Sequence, residues 1–261
     1  FADTANYDND SDGTDGGIYG AIVNLSESSI TVTGVTGYAG GVTVGNLKAR
    51  DSFGDTDTLS SIENIWGSAR SDFLLGSSAA NSLAGNAGND TLDGGAGNVD
   101  DTLNGGLGDD VYRYSLGSGN DVISDTGGAD TIELSDPLHL FSGWNFHRDG
   151  NDLVIDFNGQ GRLTVTNQFL GAPIIETLAF GDGSALYSFS FSNLLTGTAG
   201  NDVLIGTLSG EVINGGGGDD LIFGNEGDDT LFGGEGDDEL SGGPGIDALY
   251  GDAGNDELHV L

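Results

Sequence analysis

From Gly197 onward a large aliphatic residue recurs every nine positions, at Leu204, Ile213, Ile222, Leu231, Leu240, Leu249 and Leu258. Glycine and polar residues fill the spaces between. This spacing predicts a three-residue strand whose central side chain turns inward. A six-residue turn follows, rich in glycine, which tolerates positive φ and close backbone approach. Two such units complete one coil of a flattened solenoid, so unit n stacks on unit n+2. A less regular array starts at Gly67, with Leu74, Leu83, Leu92, Leu103, Tyr112, Ile123 and Ile132 inward. Its fourth and sixth units each carry two extra residues. That predicts a break of register at Val99-Asp100 and in the unit opening on Tyr114.

Outside the arrays the pattern changes to alternation. "YGAIVNL", "SITVTGV" and "GGVTV" within residues 1–66 predict strands leading into the first roll. In residues 134–196, "WNFHR", "DLVIDF", "RLTVT" and "IIETLAF" predict successive strands, with turns at Asp149-Gly150 and Asn158-Gly159. An antiparallel sheet closing the first roll is the natural arrangement, since it would cover open strand edges. Trp144, Phe146, Phe157, Phe169, Phe180, Phe189 and Phe191 are expected mainly as core, with a ligand-facing aromatic patch as the lesser alternative. The chain therefore reads as all-β. It comprises a β-rich flank over 1–66, a first roll over 67–133, an antiparallel β cap over 134–196 and a second roll over 197–261.

Composition changes this picture in one direction. The 261 residues include 42 acidic and only 6 basic side chains, for a net charge of -36. Nucleic acid and anionic membrane both require basic patches, so neither is a natural partner. Such acidity with 49 glycines would ordinarily suggest disorder. The regular aliphatic positions and 21 aromatic residues argue otherwise. There is no cysteine, so disulfides cannot staple the fold and another staple is expected. No apolar run approaches the roughly 18 residues of a membrane-spanning helix, and no signal peptide is visible. The abrupt start at Phe1 and the stop in mid-pattern read as a fragment of something longer.

The acidic residues are themselves periodic. Position six of each unit is Asp202, Glu211, Asp220, Asp229, Asp238, Asp247 and Asp256 in the second array. In the first it is Asp72, Asn81, Asp90, Asp101, Asp110, Asp121 and Asp130. The units fit the pattern G-G-x-G-x-D-x-U-x, a calcium-binding β-helix repeat in which U is aliphatic. Stacked turns would offer carbonyl oxygens and two carboxylates to one ion. That set of hard oxygens suits Ca²⁺ better than Mg²⁺, which keeps waters and demands a tighter octahedron. Seven units give five stacked pairs, so two arrays hold at most about ten ions. One inward aliphatic per unit is too little to order nine residues of backbone. The repelling carboxylates thus predict a chain that folds with its cation. "DNDSDG" adds Asp8, Asp10 and Asp12, the front half of a D-x-D-x-D-G calcium loop. Its last position would be Tyr19, so a solvated acidic loop competes with a separate calcium site.

Catalytic signals are missing. There is no H-E-x-x-H, no G-x-S-x-G and no cysteine nucleophile. His139, His147 and His259 lack zinc spacing. Asp136-Pro137 reads as a turn rather than a self-cleavage site.

The repeats resemble the RTX (repeats-in-toxin) family of type I-secreted bacterial proteins. "DTLSSIENIWGSARSDFLLG" looks like the connector leading into RTX blocks of adenylate cyclase toxins and large adhesins. "GDDVYRYSLGSGNDVISDTGGADTIELSD", with "RDGNDLVIDF" and "IETLAFGDGS", is similar to the haemolysin-type calcium-binding related segment. The resemblance implies a right-handed parallel β-roll. It implies ions held by carbonyls two and four plus the Asp of unit n, with carbonyls one and three plus the Asp of unit n+2. On this chain one ion would use Gly216, Gly218 and Asp220 with Gly233, Glu235 and Asp238. Another would use Asn225, Gly227 and Asp229 with Gly242, Pro244 and Asp247. A third would use Gly234, Gly236 and Asp238 with Gly251, Ala253 and Asp256. In the first array Asn86, Gly88 and Asp90 would pair with Gly105, Leu107 and Asp110. The same pattern implies ligands at Asp72, Gly85, Ala87, Gly95, Gly97, Asp101, Gly106, Gly108, Asp121, Asp125, Gly127 and Asp130. In the second array it adds Thr198, Gly200, Asp202, Gly215, Gly217, Gly224 and Glu226. Asn81 and Glu211 stand where Asp belongs, which would weaken their sites.

The resemblance further implies a non-catalytic, secreted or cell-surface module of a larger toxin, adhesin or exoenzyme. It would pass unfolded through the type I secretion apparatus and fold in calcium outside, without inserting into a membrane. A second reading is an adhesin segment that binds a glycan or surface receptor directly.

Overall fold

The structure, a computed structural model, describes residues 4–6, 21–26, 30–32, 42–44, 48–50, 56–135, 144–170, 174–180, 186–190 and 196–260. All regular structure among them is β-strand. The chain forms two compact units, one of residues 1–135 with 159–164, the other of 136–158 with 165–261.

The first unit is a parallel β-roll. One wall stacks Asn64–Trp66, Ser82–Ala87, Thr102–Leu107 and Asn120–Ser124. The other stacks Ile22–Asn24, Phe73–Leu75, Thr91–Asp93, Val111–Tyr114 and Thr131–Leu134. The nine-residue period places the core where expected. Leu74, Leu92, Tyr112 and Ile132 are in register on one wall, and Leu83, Leu103 and Ile123 on the other, all buried. Flanking segments extend both walls before the repeats begin: Val23 lies beside Leu74, and Ile65 beside Leu83. Lys48–Arg50 then pairs antiparallel with Ile22–Asn24.

The two-residue insertions do not break the register as the sequence predicted. Leu83, Leu103 and Ile123 remain aligned. The extra residues are absorbed within each turn. By Asp100 and Asn120 the turns are level again, and the Asn120 N–H donates to Asp100 Oδ1 at 3.0 Å. A turn can lengthen where only its end must meet a neighbour; a strand cannot.

The second unit holds the other parallel roll. One wall is Asp202–Ile205, Leu221–Phe223, Glu239–Ser241 and Glu257–His259. The opposite wall is Val212–Gly217, Thr230–Glu235 and Ala248–Ala253. Leu204, Ile213, Ile222, Leu231 and Leu240 form its fully buried core. An antiparallel hairpin, Trp144–Asp149 with Asp152–Phe157, belongs to the same unit. The buried Phe146 ring stacks on Phe223 at 4.9 Å.

The strands of 134–196 include an antiparallel sheet, as expected, and part of the stretch lies on the first roll. Residues 159–164 do join the first roll, where the Arg162 N–H donates to Gly119 O at 3.0 Å. Phe146 and Phe157 are core, as expected, and Phe169 lies half-buried beneath the Arg148 guanidinium at 3.9 Å. Phe191, Asp136-Pro137 and His139 lie outside the described residues, as do the side chains of Trp144, Phe180 and Phe189.

Candidate metal centres

Position six of every described turn is locked by a backbone bond the sequence did not reveal. Beyond the first coil of each array, each position-six Asp accepts, through Oδ1, the N–H of the position-six residue one coil earlier. In the first roll Asp72 N–H donates to Asp90 at 2.7 Å, Asp90 to Asp110 at 2.7 Å and Asp110 to Asp130 at 2.8 Å. On the other side Asn81 donates to Asp101 at 2.8 Å and Asp101 to Asp121 at 2.9 Å. The second roll repeats the ladder from Asp202 to Asp220 and on to Asp238 and Asp256, at 2.8, 2.8 and 3.1 Å. Its partner ladder runs from Glu211 to Asp229 to Asp247, at 2.7 and 2.9 Å.

The second carboxylate oxygen is left over. Oδ2 of Asp90, Asp110, Asp220, Asp229 and Asp238 is buried and has no hydrogen-bond partner among the described residues. Each lies against the position-one glycine of its own unit; for Asp90, Asp220, Asp229 and Asp238 the position-one carbonyl of unit n+2 stands beside it, and for Asp110 the Tyr112 hydroxyl does. A Cβ on Gly85 would collide with Asp90 Oδ2 and Gly105 O, and one on Gly215 with Asp220 Oδ2 and Gly233 O. Gly224 and Gly233 repeat this cradle with Gly242 O and Gly251 O. Thus the geometry brings together two ligand types the repeat pattern implied: the carboxylate of unit n and carbonyl one of unit n+2. The position-three carbonyls also lie between turns. Leu107, Gly127, Glu235, Pro244 and Ala253 accept N–H groups from Gly88, Gly108, Gly218, Gly227 and Gly236, at 2.7–3.1 Å. At Gly236, φ is +129° and a Cβ would strike the Gly218 carbonyl, so the stacking itself demands glycine.

Burial makes these carboxylates reluctant to ionise. It pushes Asp90 up to about 9, and Asp101, Asp110, Asp121 and Asp220 up to about 7. The ladder N–H groups oppose the rise, and neighbouring carboxylates add to it. Asp229 and Asp238 are raised by the same burial. Buried, partnerless oxygens beside hard carbonyl oxygens are a donor set that fits Ca²⁺.

The first coil of each roll differs. Position two there is Ser68, Ser77, Thr198 or Thr207, and the hydroxyl and N–H both turn back on position six. Ser68 Oγ donates to Asp72 Oδ1 at 2.9 Å and its N–H to Oδ2 at 2.5 Å. Thr207 Oγ1 donates to Glu211 Oε1 at 2.6 Å and its N–H to Oε2 at 3.0 Å. Ser77 gives both bonds to Asn81 Oδ1, and Thr198 both to Asp202 Oδ2. Asp202 Oδ1 keeps no partner.

Position five has its own task, which the sequence reading overlooked. Asp219 Oδ1 accepts the Asp237 N–H at 2.9 Å, and Asp237 Oδ1 accepts Asn255 at 2.8 Å. Asp228 and Asp109 serve Ile246 and Ala129 likewise. The acidic doublet is thus one outer and one inner ladder. The signal was present, because Asp or Asn precedes position six in most units. In the first roll Asp110, Asp125 and Asp130 also converge, each bringing a carboxylate oxygen within 4.8 Å of the others. Asp8, Asp10 and Asp12 lie outside the described residues.

A family profile described as RTX calcium-binding nonapeptide repeat, in 4 copies, matches residues 66–98, 100–118, 115–136, 187–208, 205–240 and 232–260. These segments cover more than half of the chain. No curated protein matches it. Among solved structures, the crystal structure of the extracellular lipase LipA from Serratia marcescens is similar at 21% identity and a TM-score of 0.26. The similarity covers 69% of this chain and 28% of the lipase, so the chain spans little more than a quarter of that protein.

Proposed function

The chain belongs to the RTX calcium-binding nonapeptide repeat family, and on that premise we propose that it is a calcium-dependent folding module of a larger secreted protein. The observation that carries this reading is the row of buried, partnerless Oδ2 atoms at Asp90, Asp110, Asp220, Asp229 and Asp238. Burying such charge uncompensated is costly, so the turns oppose folding by themselves. Bound Ca²⁺ supplies positive charge and a shell of six to eight oxygens. The chain's own residues do the rest. The Oδ1 ladder aims each Oδ2, the glycines clear space for it, and the aligned turns bring the aliphatic core into stack. Binding energy then becomes folding energy.

A module of this kind stays unfolded in low-calcium cytosol, passes through a type I secretion channel and folds outside. There it lends stability to a toxin, adhesin or exoenzyme. Its role is structural rather than catalytic. Sedimentation velocity in chelator and then in calcium at extracellular levels tests the reading. We expect an expanded chain that becomes compact with calcium. Equal compactness in both solutions would contradict it.

A further inference from the structure

Asp125 breaks the pattern of its array. It occupies position one of its unit, where Gly67, Gly76, Gly85, Gly94 and Gly105 stand in the first five units and Tyr114 in the sixth. Its side chain is not turned out to water: the residue is only 8% exposed. Oδ1 accepts the Gly127 N–H at 2.7 Å, and Oδ2 accepts the Gly106 N–H at 3.2 Å. Oδ2 also accepts the phenol proton of Tyr112, which fills an inward core position and is fully buried. The phenol oxygen is itself fixed by the Gly105 N–H at 2.6 Å. Asp110, 1% exposed, adds the independent observation. Its partnerless Oδ2 points to the same place, flanking Gly105 beside the Tyr112 hydroxyl. Asp130 completes a buried trio with carboxylate oxygens within 4.8 Å of one another.

We infer that Asp110, Asp125 and Asp130 form a three-carboxylate calcium site that binds more tightly than the two-carboxylate sites of the ordinary repeat. This rests on the folding-module reading above. A third carboxylate raises the attraction for a hard divalent cation, because ligand charge tunes calcium affinity. In the folded roll the two backbone bonds and the Tyr112 phenol pin Asp125, so its carboxylate is held in place for the ion. Tyr112 acts as a positioning residue.

Competition of the whole chain against a chromophoric calcium chelator resolves stepwise affinities. The first equivalent is expected to bind about 10- to 100-fold more tightly than the rest. Asp125→Asn should bring it down among the others. Asp125→Gly should do the same while restoring the residue the repeat ordinarily carries there, so the variant retains its fold at saturating calcium. Terbium excited through tyrosine should emit at the first equivalent, and Tyr112→Phe should abolish that emission. A tight step that survives both Asp125 variants overturns the inference, as does first-equivalent emission unchanged in Tyr112→Phe. Calcium-induced folding with such a result removes this inference alone. Absence of any calcium binding removes the folding-module reading with it.

Discussion

The first coil of each roll and the coils stacked on it share one backbone pattern but treat position six in opposite ways. In the first coil a Ser or Thr at position two answers the side chain with a hydroxyl and an N–H, as Ser68 does for Asp72 and Thr207 for Glu211. In the later units of Asp90, Asp110, Asp220, Asp229 and Asp238, position two is glycine or asparagine with positive φ, as at Gly216 and Asn225, and Oδ2 is left without a hydrogen-bond partner. The first coil is largely closed by the chain's own donors, with Asp202 Oδ1 left over. The others are left for a cation. Where a Ser or Thr at position two turns back on position six, the turn supplies donors of its own; where Gly or Asn stands there, Oδ2 is left open.

The sharpest way to break this contrast is at Asp220, whose Oδ1 holds the Asp202 N–H while its Oδ2 is open. Asp220→Ala should destabilise the calcium-loaded second roll by about 3–5 kcal/mol, the range for removing one member of a buried charged set. Guanidinium unfolding in saturating calcium measures it.

The next effect is that of pH on the metal-free chain. Asp101, Asp110, Asp121 and Asp220 rise from 3.8 to about 7 and Asp90 to about 9, first through burial. Between about pH 4 and pH 7 the fold therefore binds more protons than the unfolded chain. These groups favour the metal-free fold fully below about pH 4. Their contribution fades as pH rises through about 7, with Asp90 following near 9. Circular dichroism in chelator should show β-structure gained on acidification, and saturating calcium should suppress that dependence.

Gly236→Ala should cost about 2–3 kcal/mol, combining an unfavourable φ with collision against the Gly218 carbonyl. Thermal unfolding in calcium checks it. The smallest change is expected in the first coil. Thr198→Val removes one hydroxyl bond to Asp202 and should cost about 1 kcal/mol. Its calcium midpoint should hardly move, whereas that of Asp220→Ala should rise steeply.

Much of this organisation was legible in the chain. The nine-residue period located the inward aliphatic residues through Leu240 and even placed Tyr112 in the core, whereas Leu249 is only partly buried and Leu258, expected inward, is 45% exposed. Periodicity carries that information because each strand meets its neighbour one coil away. The insertions were misjudged because spacing alone does not say whether a turn or a strand absorbs extra residues. Partnering of the Trp144–Phe157 hairpin was also illegible, since it depends on Phe146 meeting Phe223, far along the sequence. The position-six carboxylates were recognised as ligand candidates, but their division of labour was not. Only the fold shows Oδ1 spent on the N–H of the previous coil and Oδ2 kept apart. Asp125 carried a signal in plain view, as an acid where the array places glycine, yet its partner Tyr112 lies in another unit.

The central claim is that the open carboxylates of the later coils make folding depend on calcium. Far-ultraviolet circular dichroism during a calcium titration tests it most directly, with magnesium as control and chelator for reversal. The account predicts a cooperative coil-to-β transition driven by calcium, absent with magnesium and undone by chelator. A full β signal that persists in chelator at neutral pH would contradict it, because the two rolls would then hold together without any cation between their turns.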